Sequence, residues 1–100
     1  MTFEFLVPAQ DEFEDAFDWY RSRSVRAAEG FHSRVTEAIA AAMSRPTSAG
    51  FLVGRRVRKI LLKPYSDGLL YFVHEQVLYV VAVAHNRRRP RYWRRRITWI

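Results

Sequence analysis

The residues best suited to chemistry lie near the end of the chain, in the stretch HNRRRPRYWRRR from His85 to Arg96. Seven of its twelve residues are arginine, and it also contains a histidine and a tyrosine. Cleavage of RNA through its own 2′-hydroxyl needs one group to take a proton, another to return one, and cations to stabilise the developing negative charge. If the chain is a nuclease, His85, Arg87 and Tyr92 are the candidates for these roles.

The same stretch also fits a surface that binds a partner without chemistry. Arginine forms bidentate contacts with carboxylates and phosphates. A histidine at a strand end more often bonds nearby backbone, and Tyr92 and Trp93 are expected to pack the segment onto a sheet. The predicted binding residues are Arg58, Arg87, Arg88, Arg89, Arg91, Tyr92, Trp93, Arg94, Arg95 and Arg96.

The net charge of +7 is unevenly distributed along the chain. Residues 1–54 carry five Lys/Arg against eight Asp/Glu, a net charge of −3, whereas residues 55–100 carry twelve against two, a net charge of +10. Such an excess is more than solubility requires. It therefore predicts that an anionic partner binds the second half of the chain.

Metal and cofactor chemistry are not predicted. The chain has no cysteine, and His32 and His74 have no partner at metal-ligand spacing. The sequence contains no GxGxxG, GxxxxGK[ST] or GxSxG motif. Asp11, Asp15 and Asp18 share one helical face, which we interpret as a solvated surface.

Size and hydropathy predict one soluble domain, residues 1–100. The longest apolar run, Val77 to Ala84, is too short to cross a bilayer, and the N-terminus does not resemble a signal peptide. The absence of cysteine suits a reducing compartment. We therefore expect a cytoplasmic protein.

The first half of the chain predicts a strand followed by two helices. Residues 2–7 (TFEFLV) are typical of a strand. Phe13, Ala16, Phe17 and Tyr20 recur at i, i+3, i+4 and i+7, the spacing of one helical face. A second helix is expected to begin after Ser22 or Ser24 as N-cap and to continue to about Met43. Turn-forming residues 44–50 (SRPTSAG) end it.

Three strands are predicted in the second half, at Val57 to Lys63, Leu69 to His74 and Val77 to Ala84. Their short connections favour antiparallel neighbours. The fold class is therefore α+β in the order β-α-α-β-β-β, with one antiparallel sheet packed against an N-terminal helical hairpin. The position of the first strand in the sheet stays open. The predicted core comprises Phe13, Phe17, Tyr20, Phe31, Val35, Ile39, Ile60, Leu62, Tyr71, Val73, Val81 and Val83.

This order of elements, together with VRKILLKPYSDGLLYFV and above all AVAHNRRRPRYW, resembles the ParE/RelE superfamily of type II toxin–antitoxin toxins. The closing motif is similar to that of the ParE branch. The resemblance extends from Phe3 to about Arg96. It implies a bacterial toxin that forms a hetero-oligomer with a cognate antitoxin, whose acidic tail would lie against the arginines.

Two activities are implied by this superfamily, and the fold does not choose between them. ParE-like members inhibit DNA gyrase, whereas RelE-like members cut messenger RNA on the ribosome. In RelE-like nucleases, basic residues of the central strands and a tyrosine near the C-terminus carry out the cleavage. In this chain, only Tyr92 and the Arg87 to Arg89 run lie at comparable positions. We predict gyrase inhibition by binding, with ribosome-dependent mRNA cleavage as the alternative. A simple basic nucleic-acid-binding module is a second alternative, although no helix resembles a major-groove reader.

Overall fold

A computed structural model describes residues 1–99 and confirms the predicted order of elements. Strand β1 is followed by two long helices and a run of strands, and a single turn of 3₁₀ helix lies near the C-terminus. The bounds are β1 Thr2–Phe5, α1 Val7–Arg21, α2 Val25–Ser44, β2 Phe51–Leu52, β3 Arg58–Leu61, β4 Asp67–His74, β5 Val77–His85 and the 3₁₀ turn Arg94–Ile97.

The five strands form one sheet in the order β1-β5-β4-β3-β2. The predicted antiparallel pairing of β3, β4 and β5 is confirmed, as is the α+β class, and β2 is antiparallel to β3. Two details differ from the expected layout. The two-residue strand β2 is additional, and β1 lies parallel to β5, which makes the sheet mixed. A parallel pair needs a long crossover between its strands, and the helical hairpin supplies it.

The helices cover one face of the sheet because each has an apolar stripe. Helix α1 has Pro8 in its first turn, and the Ser24 hydroxyl caps α2 by accepting the Ala27 N–H at 3.1 Å. Phe31 and Val35 of α2 are buried against Leu69, Tyr71, Leu78 and Val80 of the sheet. The predicted core residues of α1, Phe13, Phe17 and Tyr20, are half-buried at its margin.

The other face of the sheet is covered by the C-terminal segment, residues 86–99. Trp93 is 5% exposed and packs with Val57, Leu70 and Phe72. Val81, one of the predicted core residues, belongs to this second cluster and not to the one under the helices. Strand β5 is therefore buried on both faces, which explains its nearly unbroken apolar sequence. No helix within residues 1–99 is long and apolar enough to span a bilayer.

Candidate functional site

The C-terminal segment carries six arginines whose side chains project into solvent. Each is exposed, and we call this group the arginine rim: Arg87, Arg88, Arg89, Arg91, Arg94 and Arg95. Within residues 1–99, only Arg88 of this group has a carboxylate within 4.0 Å, namely that of Glu12 at 3.9 Å. The rim is a cluster of largely unneutralised guanidinium groups.

One carboxylate from helix α1 fastens the segment that carries the rim. The side chain of Glu12 is 14% exposed and accepts four hydrogen bonds. Arg96 donates to both of its oxygens, at 2.8 and 2.9 Å, and the Tyr92 hydroxyl donates to Oε2 at 2.6 Å. The fourth donor is the backbone N–H of Val83 in β5, at 3.1 Å. We call Glu12, Tyr92 and Arg96 the Glu12 clamp.

A β-bulge in strand β5 makes the backbone available to this clamp. Leu70 of β4 pairs with Ala82, but Tyr71 pairs with Val80, so Val81 is an extra residue in β5. Strand β1 pairs with β5 only as far as Val80, which leaves the following edge of β5 without a neighbouring strand. Glu12 accepts the Val83 N–H there, and Arg96 donates to the Val81 carbonyl at 3.0 Å. Two side chains therefore satisfy backbone groups that a longer β1 would have bonded.

The clamp determines the ionisation of its members. Burial by itself raises the pKa of Glu12, but the hydrogen bonds from Arg96, Tyr92 and Val83 outweigh burial, so the pKa is lowered from its usual value of 4.5. Burial and the bond to Glu12 raise the pKa of Tyr92, whose hydroxyl therefore stays protonated at neutral pH. The hydrogen bond to Glu12 likewise raises the pKa of Arg96. Glu12 is thus an anion facing a permanent cation.

Packing around Tyr92 and Trp93 fixes the segment further. The guanidinium carbons of Arg88 and Arg96 lie 3.9 and 4.9 Å from the centroid of the Tyr92 ring. Trp93 lies against Gly54, where a Cβ atom would come within 2.9 Å of the indole. The prediction that both aromatics pack the segment onto the sheet agrees with these contacts.

Two of the candidate nuclease residues, His85 and Tyr92, line the same small cavity, but each already has a hydrogen-bond partner within the domain. The Nδ1 atom of His85 accepts the backbone N–H of Arg87 at 3.1 Å, which is a contact that shapes the turn. The Tyr92 hydroxyl instead faces helix α1 and is bonded to Glu12. Arg87 is exposed and makes no side-chain hydrogen bond within residues 1–99.

Arg58 lies apart from the other predicted binding residues. It pairs with Tyr71 across strands β3 and β4, so its side chain points to the helix-covered face. Its Nη1 donates to the Gly50 carbonyl at 3.0 Å. The next residue, Lys59, pairs with Leu70 and points to the face that carries the C-terminal segment. Lys59 is not among the predicted binding residues, although the alternation of side chains along a strand would have placed it on the opposite face from Arg58.

Beside the clamp, a cleft of about 560 Å³ separates α1 from the end of the sheet. Trp19, Tyr65 and Val83 contribute to its walls. Tyr20 also lines it and donates its hydroxyl at 2.5 Å to Asp67, a buried carboxylate. Burial and this bond raise the pKa of Tyr20. No group of three or more potential metal ligands occurs in the part of the chain that the structure describes.

Glu12 is the functional residue that sequence reasoning missed. Asp11, Asp15 and Asp18 are exposed, as predicted. Glu12, however, follows Ala9 by three residues and precedes Ala16 by four, so it lies on the inner face of α1. An acid within an apolar stripe is a signal that a partner cation is needed.

Comparison with known families identifies one match. A family model described as ParE toxin of type II toxin–antitoxin system, parDE, matches residues 3–90. No curated protein matches the chain in a sequence search. The matched region includes both long helices and, apart from Thr2 of β1, the five strands of the sheet, but it ends before Tyr92 and Arg96.

Proposed function

The chain belongs to the ParE toxin family of type II toxin–antitoxin systems, and from this premise we propose that it inhibits DNA gyrase by binding. Membership of a type II toxin family implies an antitoxin partner. We further propose that a cognate antitoxin neutralises the chain in the bacterial cytoplasm by covering its arginine rim.

The observation that carries this proposal is the arginine rim on a fixed scaffold. Arg87, Arg89, Arg91, Arg94 and Arg95 have no carboxylate within 4.0 Å among residues 1–99. Other exposed arginines, such as Arg21, Arg26 and Arg45, also have no carboxylate within 4.0 Å among these residues, but they are scattered, whereas the rim places six guanidinium groups in one short segment. Because the Glu12 clamp and Trp93 hold the segment on the sheet, the rim presents its charges with little loss of backbone entropy on binding.

The geometry favours binding over RNA cleavage. A general acid or base must reach the proton that it transfers. The Tyr92 hydroxyl is bonded to Glu12, and a raised pKa makes it a poorer acid. His85 uses Nδ1 within its own turn. These side chains have structural partners, whereas the rim arginines are available to a partner molecule.

The antitoxin is proposed to bind the rim and the adjoining cleft. Arg88 belongs to both, since it is exposed on the rim and also lines the cleft of about 560 Å³. Trp19 is half-exposed beside this cleft. An acidic segment with one or two apolar side chains would pair with the arginines and place its apolar groups in the cleft.

The test is to express the chain without antitoxin and to measure broken DNA trapped on gyrase and cut messenger RNA in the same cells. We expect trapped gyrase and intact message. The variant with Arg87, Arg94 and Arg95 all changed to Gln should lose at least about ten-fold in gyrase inhibition, because electrostatic contacts to the target are removed.

A matched control is the variant with Arg21, Arg26 and Arg45 changed to Gln. These three are also exposed, and their replacement changes the net charge equally. It should inhibit gyrase as the unaltered chain does. Cut message with unaffected gyrase would contradict the proposal and make His85, Arg87 and Tyr92 catalytic candidates.

A further inference from the structure

A second, smaller cavity lies on the segment-covered face of the sheet, on the other side of Arg88 from the cleft. Its volume is about 240 Å³. Its floor is apolar and includes Leu70, Ala84 and Trp93. No aspartate or glutamate among residues 1–99 lines it, so we call it the basic pocket. Its ionisable residues are Lys59, His85, Arg88, Arg89, Arg91 and Tyr92.

The fold makes room for this pocket at two glycines. A Cβ on Gly68 of β4 would collide with the Cε atom of Lys59, so glycine at this position allows the lysine stem to lie across the sheet. Gly54 likewise leaves room for the Trp93 ring, because a Cβ atom there would lie 2.9 Å from it. Arg91 has φ of +59°, a left-handed conformation that arginine rarely adopts. This conformation turns the backbone between Pro90 and Tyr92, which both line the pocket.

The cations of the basic pocket are not neutralised from within. Lys59, Arg89 and Arg91 have no carboxylate within 4.0 Å in residues 1–99. Among the cations of the pocket, Arg88 has a carboxylate within 4.0 Å, that of Glu12. This carboxylate already binds Arg96 and lines the cleft and not the basic pocket. The contrast with the neighbouring cleft is clear, since that cleft is lined by Glu12, Asp15 and Asp67.

We propose that the basic pocket binds a phosphate group of a DNA backbone, with Lys59 as its central contact. Several converging cations favour a partner with regularly spaced anions. A DNA strand presents one negative charge about every 3.4 Å. One phosphate in the pocket can therefore be flanked by others that reach the exposed rim arginines on either side. Only the choice of DNA as the ligand rests on the proposed function, because gyrase acts on DNA.

Binding can be measured on the purified full chain without gyrase. The indole N–H signals of Trp19, Trp93 and Trp99 report on separate places, and only Trp93 lines the basic pocket. We expect a 12-base-pair duplex and, more weakly, inorganic phosphate to shift the Trp93 signal and to leave that of Trp19 in place. A Trp93 signal that shifts with phosphate or with a glutamate-rich peptide, but does not shift with the duplex, contradicts the proposal.

Three variants then distinguish a specific phosphate-binding site from nonspecific electrostatic attraction. Lys59→Gln should weaken duplex binding about five-fold and reduce the slope of log affinity against log salt by about 0.9, the value for one phosphate contact. Gly68→Ala should weaken binding similarly, because it displaces the lysine stem while leaving the net charge unchanged. Lys63→Gln is the control, since Lys63 is exposed and does not line the pocket.

If Lys59→Gln and Lys63→Gln lose equal affinity for the duplex and Gly68→Ala loses none, the attraction is nonspecific and the proposed site is wrong. Thermal melting of each variant shows that it is folded. The outcome is read on the purified chain without gyrase and at Lys59 and Gly68, whereas the gyrase test is read in cells and alters Arg87, Arg94 and Arg95, none of which lines the basic pocket. Either proposal can therefore fail while the other stands.

Discussion

The two faces of the sheet are covered in different ways. On the helix-covered face, aromatic rings pack in a continuous cluster, with the Phe31 ring centroid 5.0 to 5.9 Å from those of Tyr20, Tyr65 and Phe13. On the other face, a short segment is held by Trp93, by Trp99, whose ring centroid lies 5.3 Å from that of Tyr79, and by the Glu12 clamp. The first face is covered by two long helices through many apolar contacts, whereas the second combines a smaller apolar cluster with a few polar contacts at the clamp. Stability is therefore broadly distributed on the helical face and concentrated on the face that carries the rim.

The largest effect is expected on the helical face. Phe31→Ala should lower the free energy of unfolding by about 4 kcal/mol, because a fully buried phenylalanine is replaced by a cavity. Phe51→Ala is the control, since Phe51 is 51% exposed and should change stability by less than about 0.5 kcal/mol. Denaturant unfolding measures both. Equal losses would mean that the core does not lie under the helices.

The next largest effect is expected at the Glu12 clamp. Glu12→Gln should cost about 2 to 3 kcal/mol, because Arg96 would remain partly buried without its anion. It should also release the C-terminal segment, which limited proteolysis would detect. Glu14→Gln, at an exposed residue two positions later, is the control and should change little. If the two variants unfold alike, the clamp does not hold the segment.

The stabilisation by Glu12 should depend on pH. Its pKa is lower in the folded chain than the ordinary value of 4.5, so its contribution is present above that value and is lost as the pH falls through the folded pKa. The stability difference between the unaltered chain and Glu12→Gln should therefore be constant near neutrality and shrink below about pH 4.5. Chemical unfolding at a series of pH values measures it. A difference that is constant down to pH 2 would contradict this assignment.

The smallest effect is expected for a single hydrogen bond. Tyr92→Phe removes only the bond to Glu12 and should cost about 1 kcal/mol, while the ring still packs between Arg88 and Arg96. Tyr79→Phe is the control, since the Tyr79 hydroxyl makes no hydrogen bond within residues 1–99. Under the binding proposal, Tyr92→Phe should keep gyrase inhibition at a temperature where it is folded. Loss of activity in a folded Tyr92→Phe variant would instead favour a catalytic tyrosine.

Much of the fold was predictable because its signals are local. The i, i+3, i+4 spacing around Phe13 and the β-branched and aromatic run of β5 each reflect the period of one element. The site was predictable only as a set of residue types. The arginines of residues 87–96 lie near each other because they are close in the sequence. Arg58 was grouped with them, but strand alternation places it on the opposite face.

The clamp and the basic pocket were not predictable because they join residues far apart in the chain. Glu12 and Arg96 are separated by 84 positions. Lys59 reaches the arginines only because β3, β4 and β5 are neighbours in the sheet. The sequence by itself determined the α+β class, the order of elements and the concentration of positive charge after residue 54, because periodicity and composition are properties of the chain. The tertiary structure alone decided which charges are neutralised. The end of β1 and the bulge at Val81 expose backbone groups of β5, and Glu12 and Arg96 form hydrogen bonds with these groups and with each other. Because Glu12 is bound in this way, the rim arginines other than Arg88 have no acidic partner within residues 1–99.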